Sequence, residues 1–223
     1  MINICDFPKL ESPFERETIE GVYQVVPRIK SEFEWIFSES VLAVDKLHGT
    51  NVSVVIQDHN IEAIYNRTAK IDLWRSGEWF YEGVKNSIEL ENFCPDSLSD
   101  GQYFGELIGP RINANPYGLE KHRWVPFEYL RTHDHYKFWN EVVIKETQNL
   151  NEQEKFDYVS KVFKGLWSIY KRQRGIKGEV NENIAFENSL AAEGIVFYNT
   201  QTNAMCKLRR DMFSWYQGKR HGV

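Results

Sequence analysis

The stretch Asp45-Lys46-Leu47-His48-Gly49-Thr50-Asn51 decides how the chain is read. A lysine ends the apolar run Val41-Leu42-Ala43-Val44, a glycine follows three residues on, and Val52 to Ile56 resume a strand-like pattern. The spacing predicts a turn that carries Lys46 between two buried strands, with Gly49 letting the backbone bend closely around a ligand. A lysine held there can act as a nucleophile or clamp a phosphate. It can also be a surface lysine in a hairpin loop, and a lone K-x-x-G recurs too often by accident to separate the readings.

The 223 residues suit one domain of ordinary size with a full hydrophobic core. A hydrophobic fraction of 42% with 26% charged residues is that of a soluble globular protein. No apolar run approaches the roughly 18 residues of a transmembrane helix. The start, Met1-Ile2-Asn3-Ile4-Cys5-Asp6, lacks the basic region and apolar core of a signal peptide. Cys5, Cys94 and Cys206 are scattered, which predicts a reducing compartment, no metal cluster and a cytoplasmic protein without membrane contact. The net charge of −5 argues against a domain that coats nucleic acid, but not against a local basic site. Lys161, Lys164, Lys171, Arg172, Arg174 and Lys177 cluster, as do Lys207, Arg209, Arg210, Lys219 and Arg220. A solvated helix face explains the first cluster as well as RNA does.

Taken in order, residues 1 to 20 read as an irregular polar arm. Residues 21–29, 40–44, 51–57, 61–66, 102–108, 124–130, 193–199 and 204–208 read as strands, with turns at Asp58-His59-Asn60 and Thr200-Gln201-Thr202-Asn203. Residues 77–91 read as a helix, and the pattern from about 134 to 174 is helical. Phe156, Val159, Phe163, Leu166, Trp167 and Tyr170 recur there at helical spacing, a core stripe rather than a base-stacking platform. Asn151 with Glu154 resembles a capping box. His133-Asp134-His135 reads as a loop, not a metal site. Strands, a helical block and more strands predict an α+β fold.

The string K-L-H-G-T-N resembles motif I of the covalent nucleotidyltransferases, specifically the RNA ligase 2 family of nick-sealing and RNA-editing ligases. Five further segments resemble that family's pattern in order. They are Tyr65-Asn66-Arg67-Thr68, Tyr103 to Pro110 with its F-G-E core (motif III), Pro126-Phe127-Glu128-Tyr129 (motif IIIa), Ala192-Glu193-Gly194-Ile195-Val196 (motif IV) and Cys206-Lys207-Leu208-Arg209 (motif V). Each alone is weak; six in order over roughly residues 40 to 213 are not.

The resemblance implies an ATP-dependent RNA ligase with antiparallel sheets flanked by helices around a central nucleotide cleft. It implies that Lys46 attacks the α-phosphate of ATP and becomes adenylylated, that AMP passes to an RNA 5′-phosphate, and that a 3′-hydroxyl then displaces it. The chemistry suits these residue types. A lysine amine is protonated at neutral pH, and neighbouring cations and burial favour loss of that proton. Lys207, Arg209 and a metal ion would supply the cations and neutralise phosphate charge. Glu193 offers a hard oxygen ligand for Mg2+ or Mn2+. Glu106 suits ribose hydroxyls, Phe127 a purine face, and Arg67 a phosphate. Asp45 and Leu47 flank the lysine at the nucleotide, and Asn51 suits an incoming 5′-phosphate. Simpler readings stay open: Phe127 as core, Glu193 paired with a lysine on a sheet face, an Arg67–Glu106 salt bridge, and His48 as a positioning residue.

Three residues depart from the family pattern: Asp45 for glutamate, Glu128 for aspartate in motif IIIa, and Arg209 for the second motif V lysine. Only residues 210–223 follow motif V, so the whole chain is expected to be one nucleotidyltransferase domain with no room for a C-terminal or OB accessory domain. Weak sealing that depends on low salt or on an end-healing or tethering partner is the corresponding expectation. A GTP-using capping guanylyltransferase and a non-catalytic module that binds nucleic-acid ends are the alternatives.

Overall fold

The computed structural model describes residues 2–90, 93–186 and 189–220. In chain order its strands and α-helices are β1 (Phe14–Ile19), β2 (Val22–Ile29), β3 (Val41–Lys46), β4 (Thr50–Gln57), β5 (Asn60–Asn66), β6 (Ala69–Lys70), α1 (Glu78–Leu90), β7 (Gly101–Ile108), β8 (Arg123–Pro126), α2 (Phe127–His133), α3 (Ile144–Thr147), α4 (Glu152–Lys164), α5 (Ile169–Gln173), β9 (Gly194–Asn199) and β10 (Met205–Arg209). All sheets are antiparallel, and with the helices they make the expected α+β fold. The chain divides into two compact units, Met1–Lys9 with His48–His133, and Leu10–Leu47 with Asp134–Val223.

The first unit is built on a five-stranded sheet in the order β6-β5-β4-β7-β8. The β4–β5 hairpin turns at Asp58 and His59, whose positive φ values of 49° and 62° match the right-handed twist of the strands. Strand alternation gives each face its own residues. One face contributes Val52, Val54, Ile64, Leu107 and Trp124 to a core closed by Phe80 and Val84 of α1. The other carries Asn51, Ser53, Gln102, Phe104 and Glu106. The helix expected over 77–91 is present; its last residue, Glu91, lies outside the described residues.

The second unit combines the sheet β10-β9-β3 with the β1–β2 hairpin and the helices α3 to α5. Its core gathers Phe14, Ile36, Trp139, Phe163, Phe197 and Phe213. The capping box at α4 forms in full: Asn151 Oδ1 accepts from the Glu154 N–H, and the Glu154 carboxylate accepts from the Asn151 N–H. Val159 and Phe163 of α4 and Leu166 beyond its end point into this core, whereas the helix stops at Lys164 and Tyr170, also buried, belongs to α5.

Four expectations are corrected. Residues 14–19 are a strand rather than arm, because Phe14 is fully buried and Glu20-Gly21, both at positive φ, close a tight hairpin onto β2. Residues 127–130 are helical: Pro126 ends β8, and Phe127 opens α2. Lys46 is not in a turn but is the last residue of β3, held by the ladder Asp45↔Ile195 and Lys46↔Gly194; β3 and β4 belong to different sheets, so no hairpin joins them. The first basic cluster is not a solvated face throughout, and the second also holds a buried cation. Lys171 is buried and donates to the carbonyls of Phe186, Ser189 and Ala191, and buried Arg210 donates to the carbonyl of Asn181.

Candidate active site

The three-stranded sheet of the second unit places the motif I lysine by register. Lys46, Gly194 and Arg209 form one cross-strand row, Val44, Val196 and Lys207 the next row on the same face. The intervening rows, Asp45-Ile195-Leu208 and Ala43-Phe197-Cys206, turn the other way and are buried. One face of this sheet is therefore core, and the opposite face carries three cations: Lys46, Lys207 and Arg209. Lys46 Nζ donates to Glu193 Oε2 at 2.7 Å and to the Leu47 carbonyl at 3.1 Å. The Lys46 side chain is 18% exposed and that of Glu193 only 4%. Arg209 Nε lies 2.9 Å from Asp211 Oδ1.

Gly194 is what lets this row close. A Cβ there would lie 2.2 Å from the Leu208 carbonyl oxygen and 2.7 Å from Arg209 Cα, both backbone atoms that cannot move aside alone. Gly194→Ala is expected to lower unfolding stability by about 1–3 kcal/mol, the usual cost of overpacking, and to separate β9 from β10. Chemical denaturation checks this; an unchanged midpoint would contradict the packing.

Asp45 behaves differently from its neighbours. Its carboxyl is 1% exposed, on the core side of the sheet. Oδ2 accepts from the Ser168 hydroxyl at 2.6 Å and the Tyr170 N–H at 3.0 Å. The Tyr136 hydroxyl lies 3.0 Å from Oδ1 and 2.9 Å from the Trp167 carbonyl oxygen. A hydroxyl has one hydrogen, so it cannot serve both acceptors fully. A protonated Asp45 completes the chain, donating to Tyr136 while Tyr136 donates to Trp167. Burial drives the same way: it pushes the Asp45 carboxyl up to about 7, against the three hydrogen bonds that lower it. The Asp45 side chain, assigned to the nucleotide from sequence, points to the core side of the sheet, where its carboxyl ties β3 to Ser168 and to Tyr170 at the start of α5.

This makes stability pH-dependent with a defined sign. A carboxyl whose folded value is raised keeps its proton while the unfolded chain loses it, so stability falls as pH rises from about 3.8 to about 7 and levels off above. Asp45→Asn supplies the donor and acceptor without a proton to lose. It is expected to melt higher than the parent at pH 8, by up to about 4 kcal/mol of unfolding free energy, with the gain vanishing near pH 4. Thermal melts across that range check it; a gain equal at both ends would refute it.

In the first unit, the candidate residues sit on and beside the non-core sheet face. Glu106 Oε1 accepts from the Gly49 N–H at 2.9 Å. A Cβ on Gly49 would meet the Leu107 carbonyl at 2.3 Å and Glu106 Cγ at 2.7 Å, so this glycine is required by the approach to β7 rather than by a bend. The His48 N–H donates to the Tyr117 hydroxyl at 2.6 Å. Asn51, paired with Glu106, has a buried Oδ1 with no hydrogen-bond partner among the described residues, an acceptor left for a ligand or water. Arg67 sits at φ +55° after β5, and its guanidinium lies 4.0 Å from Asp6, so the Arg67–Glu106 bridge is not what forms. Phe127 is half-buried, its ring against Phe7 at 4.7 Å.

The candidates thus divide between the units: Asp45, Lys46, Leu47, Glu193, Lys207 and Arg209 in one, Asn51, Arg67, Glu106 and Phe127 in the other. Sequence reasoning missed Tyr136, Ser168, Tyr117 and Phe7, whose contacts are long-range and leave no local signal.

The family model described as RNA ligase matches residues 39–213. The chain belongs to the RNA ligase family. No curated protein sequence matches this family member. Solved structures similar to it include the Naegleria gruberi RNA ligase as an alanine mutant with ATP and Mn (14% identity, 93% of this chain and 59% of that chain, TM-score 0.43). A second form of that enzyme, with pyrophosphate, matches at 15% identity over 94% of this chain and 59% of that chain, TM-score 0.43. An apo alanine mutant matches at 14% over 94% and 58%, TM-score 0.45. The family member spans less than two thirds of the length of that enzyme. Among its described residues no helix is long and apolar enough to cross a membrane.

Proposed function

We propose that this chain is the nucleotidyltransferase domain of an ATP-dependent RNA ligase that joins 3′-hydroxyl and 5′-phosphate ends. The observation that carries the reading is the Lys46 row: a strand-end lysine held 2.7 Å from a buried carboxylate, on the sheet face that also carries Lys207 and Arg209. Membership of the RNA ligase family supports RNA as the substrate class.

Lys46 Nζ, once deprotonated, attacks the α-phosphorus of ATP; a P–N bond forms, a P–O bond breaks, and pyrophosphate leaves. Lys207 and Arg209 neutralise the charge that develops on the phosphoryl oxygens. Asn51, Arg67, Glu106 and Phe127 are assigned to the incoming 5′-phosphate, a phosphate, the ribose and the purine.

The donor set fits a divalent metal of the Mg2+ type. Among the described residues no three His, Cys, Asp or Glu side chains cluster, and the carboxylate beside Lys46 is that of Glu193. Mg2+ is commonly held by one or two carboxylates with phosphate oxygens and water filling the rest. Held by Glu193, Mg2+ or Mn2+ would neutralise the carboxylate and offset phosphate charge.

The test is a sealing assay on 5′-phosphorylated RNA with ATP and Mg2+, run as nicked duplex, tRNA break and single strand. Joined RNA with release of AMP supports the reading. Adenylylated protein that never transfers AMP to any RNA end would restrict the chain to nucleotide activation. A salt series, with and without an end-healing partner protein, measures how far this chain binds RNA unaided.

A further inference from the structure

The non-core face of the first unit's sheet does not stand empty: the chain's own N-terminal arm lies along it. Gln102, Phe104 and Glu106 alternate on this face of β7. Gln102 clamps Cys5 in both directions, with its Oε1 accepting the Cys5 N–H at 3.0 Å and its Nε2 donating to the Cys5 carbonyl at 2.8 Å. The same Nε2 donates to Ser53 Oγ at 2.7 Å, which fixes the clamp to β4. Two residues on, the Phe7 ring packs against Phe104 at 5.4 Å and Phe127 at 4.7 Å. Between them, Asp6 sets its carboxylate 4.0 Å from the Arg67 guanidinium.

These contacts fall on residues with an assigned use. Resting on the proposed function, Phe127 stacks on the purine and Arg67 grips a phosphate. The arm sets an aromatic ring against the first, edge to face at an interplanar angle of 62°, and an anion beside the second, so that an apolar ring and a negative charge stand where the base and a phosphate of a nucleotide are assigned. An Asp6 carboxylate and a phosphate compete for one guanidinium, and a carboxylate left beside an incoming phosphate repels it. Sharing of Arg67 between arm and nucleotide is therefore unfavourable.

We infer that residues Cys5 to Phe7 are an internal nucleotide mimic, which must leave Arg67 and Phe127 before ATP binds. The arm's hold is weak enough to yield. The Asp6–Arg67 pair is exposed and long, with side chains 41% and 75% accessible, so it contributes little and is screened by salt. The aromatic contacts of Phe7 are the larger part of that hold. A competing arm lowers apparent affinity by the fraction of molecules in which it is withdrawn.

The experiment measures equilibrium binding of a fluorescent ATP analogue to the full chain, beside the ATP concentration that half-saturates protein labelling. Wild type, Asp6→Asn, Phe7→Ala and the double variant are compared. The double variant is expected to bind about five-fold more tightly or better and to half-saturate at correspondingly lower ATP. Asp6→Asn alone gives a smaller gain that fades in high salt. Weaker binding by Phe7→Ala would overturn the inference, since it would make Phe7 a wall of the base site. Unchanged binding would overturn it too, by placing the arm clear of the nucleotide. Failure of all four proteins to bind nucleotide would overturn this inference together with the proposed function; binding by wild type without gain in the variants overturns this inference alone. Thermal melts of each variant confirm that the chain remains folded.

Discussion

Lys46→Arg is expected to abolish covalent labelling by ATP while the protein stays folded. Arginine is the sharper substitution than alanine here. Lys46 is the strand-end partner of Glu193, whose side chain is only 4% exposed. Removing the cation outright breaks an ion pair to a buried carboxylate, at a cost of about 3–5 kcal/mol. A loss of activity in Lys46→Ala would then mix chemistry with unfolding. Arginine keeps the charge and can keep the ion pair, but its guanidinium holds its proton in proteins and has no lone pair to offer. Intact melting with no adduct places the chemistry on the amine. An adduct that survives in Lys46→Arg would move the nucleophile elsewhere.

Glu193→Gln is expected to slow adenylyl transfer by about 10²–10³-fold, on the order of 3–4 kcal/mol, the loss seen when a principal electrostatic stabiliser is removed. The amide keeps the shape and can still accept a hydrogen bond from Lys46, so folding is largely preserved. It cannot bind a divalent cation as a carboxylate does. Labelling rates across a Mg2+ series separate the two roles of Glu193. If the carboxylate only pairs with Lys46, the variant keeps the parent's Mg2+ dependence. If it holds the metal, the dependence shifts to higher concentration. Labelling equal in EDTA and in Mg2+ would remove the metal role altogether.

The local parts of this molecule were legible from sequence because local chemistry sets them. The Asp58-His59 turn, the α4 capping box and the α4 stripe depend on residues within four positions of each other. The strand at Phe14–Ile19 was not legible, since its polar residues alternate around one anchor, Phe14, whose burial is decided by α4 and the C-terminal segment. The apolar run before Lys46 was legible as strand. That the strand continues through Asp45 and Lys46 was not, because the ladder that extends it comes from β9, about 150 residues away. The site divided the same way. Motif spacing marked Lys46, Glu193, Lys207 and Arg209, and register on the three-stranded sheet brings three of these to one face. The inward turn of Asp45 follows from strand alternation once Lys46 is placed. Its partners Tyr136 and Ser168 lie 91 and 123 residues away and carry no mark of their role. Phe7 and Asp6 lie in a stretch that reads as an irregular polar arm because their contacts are with β7, Phe127 and Arg67.

The most direct test of the central claim is to incubate the purified chain with ATP or GTP carrying labelled α-phosphate and Mg2+, and to map the labelled peptide. The expected result is a phosphoamide adduct from ATP, located on the peptide containing Lys46, with pyrophosphate released in equal amount. No adduct, an adduct formed from GTP in preference to ATP, or a label on any residue other than Lys46 would contradict it.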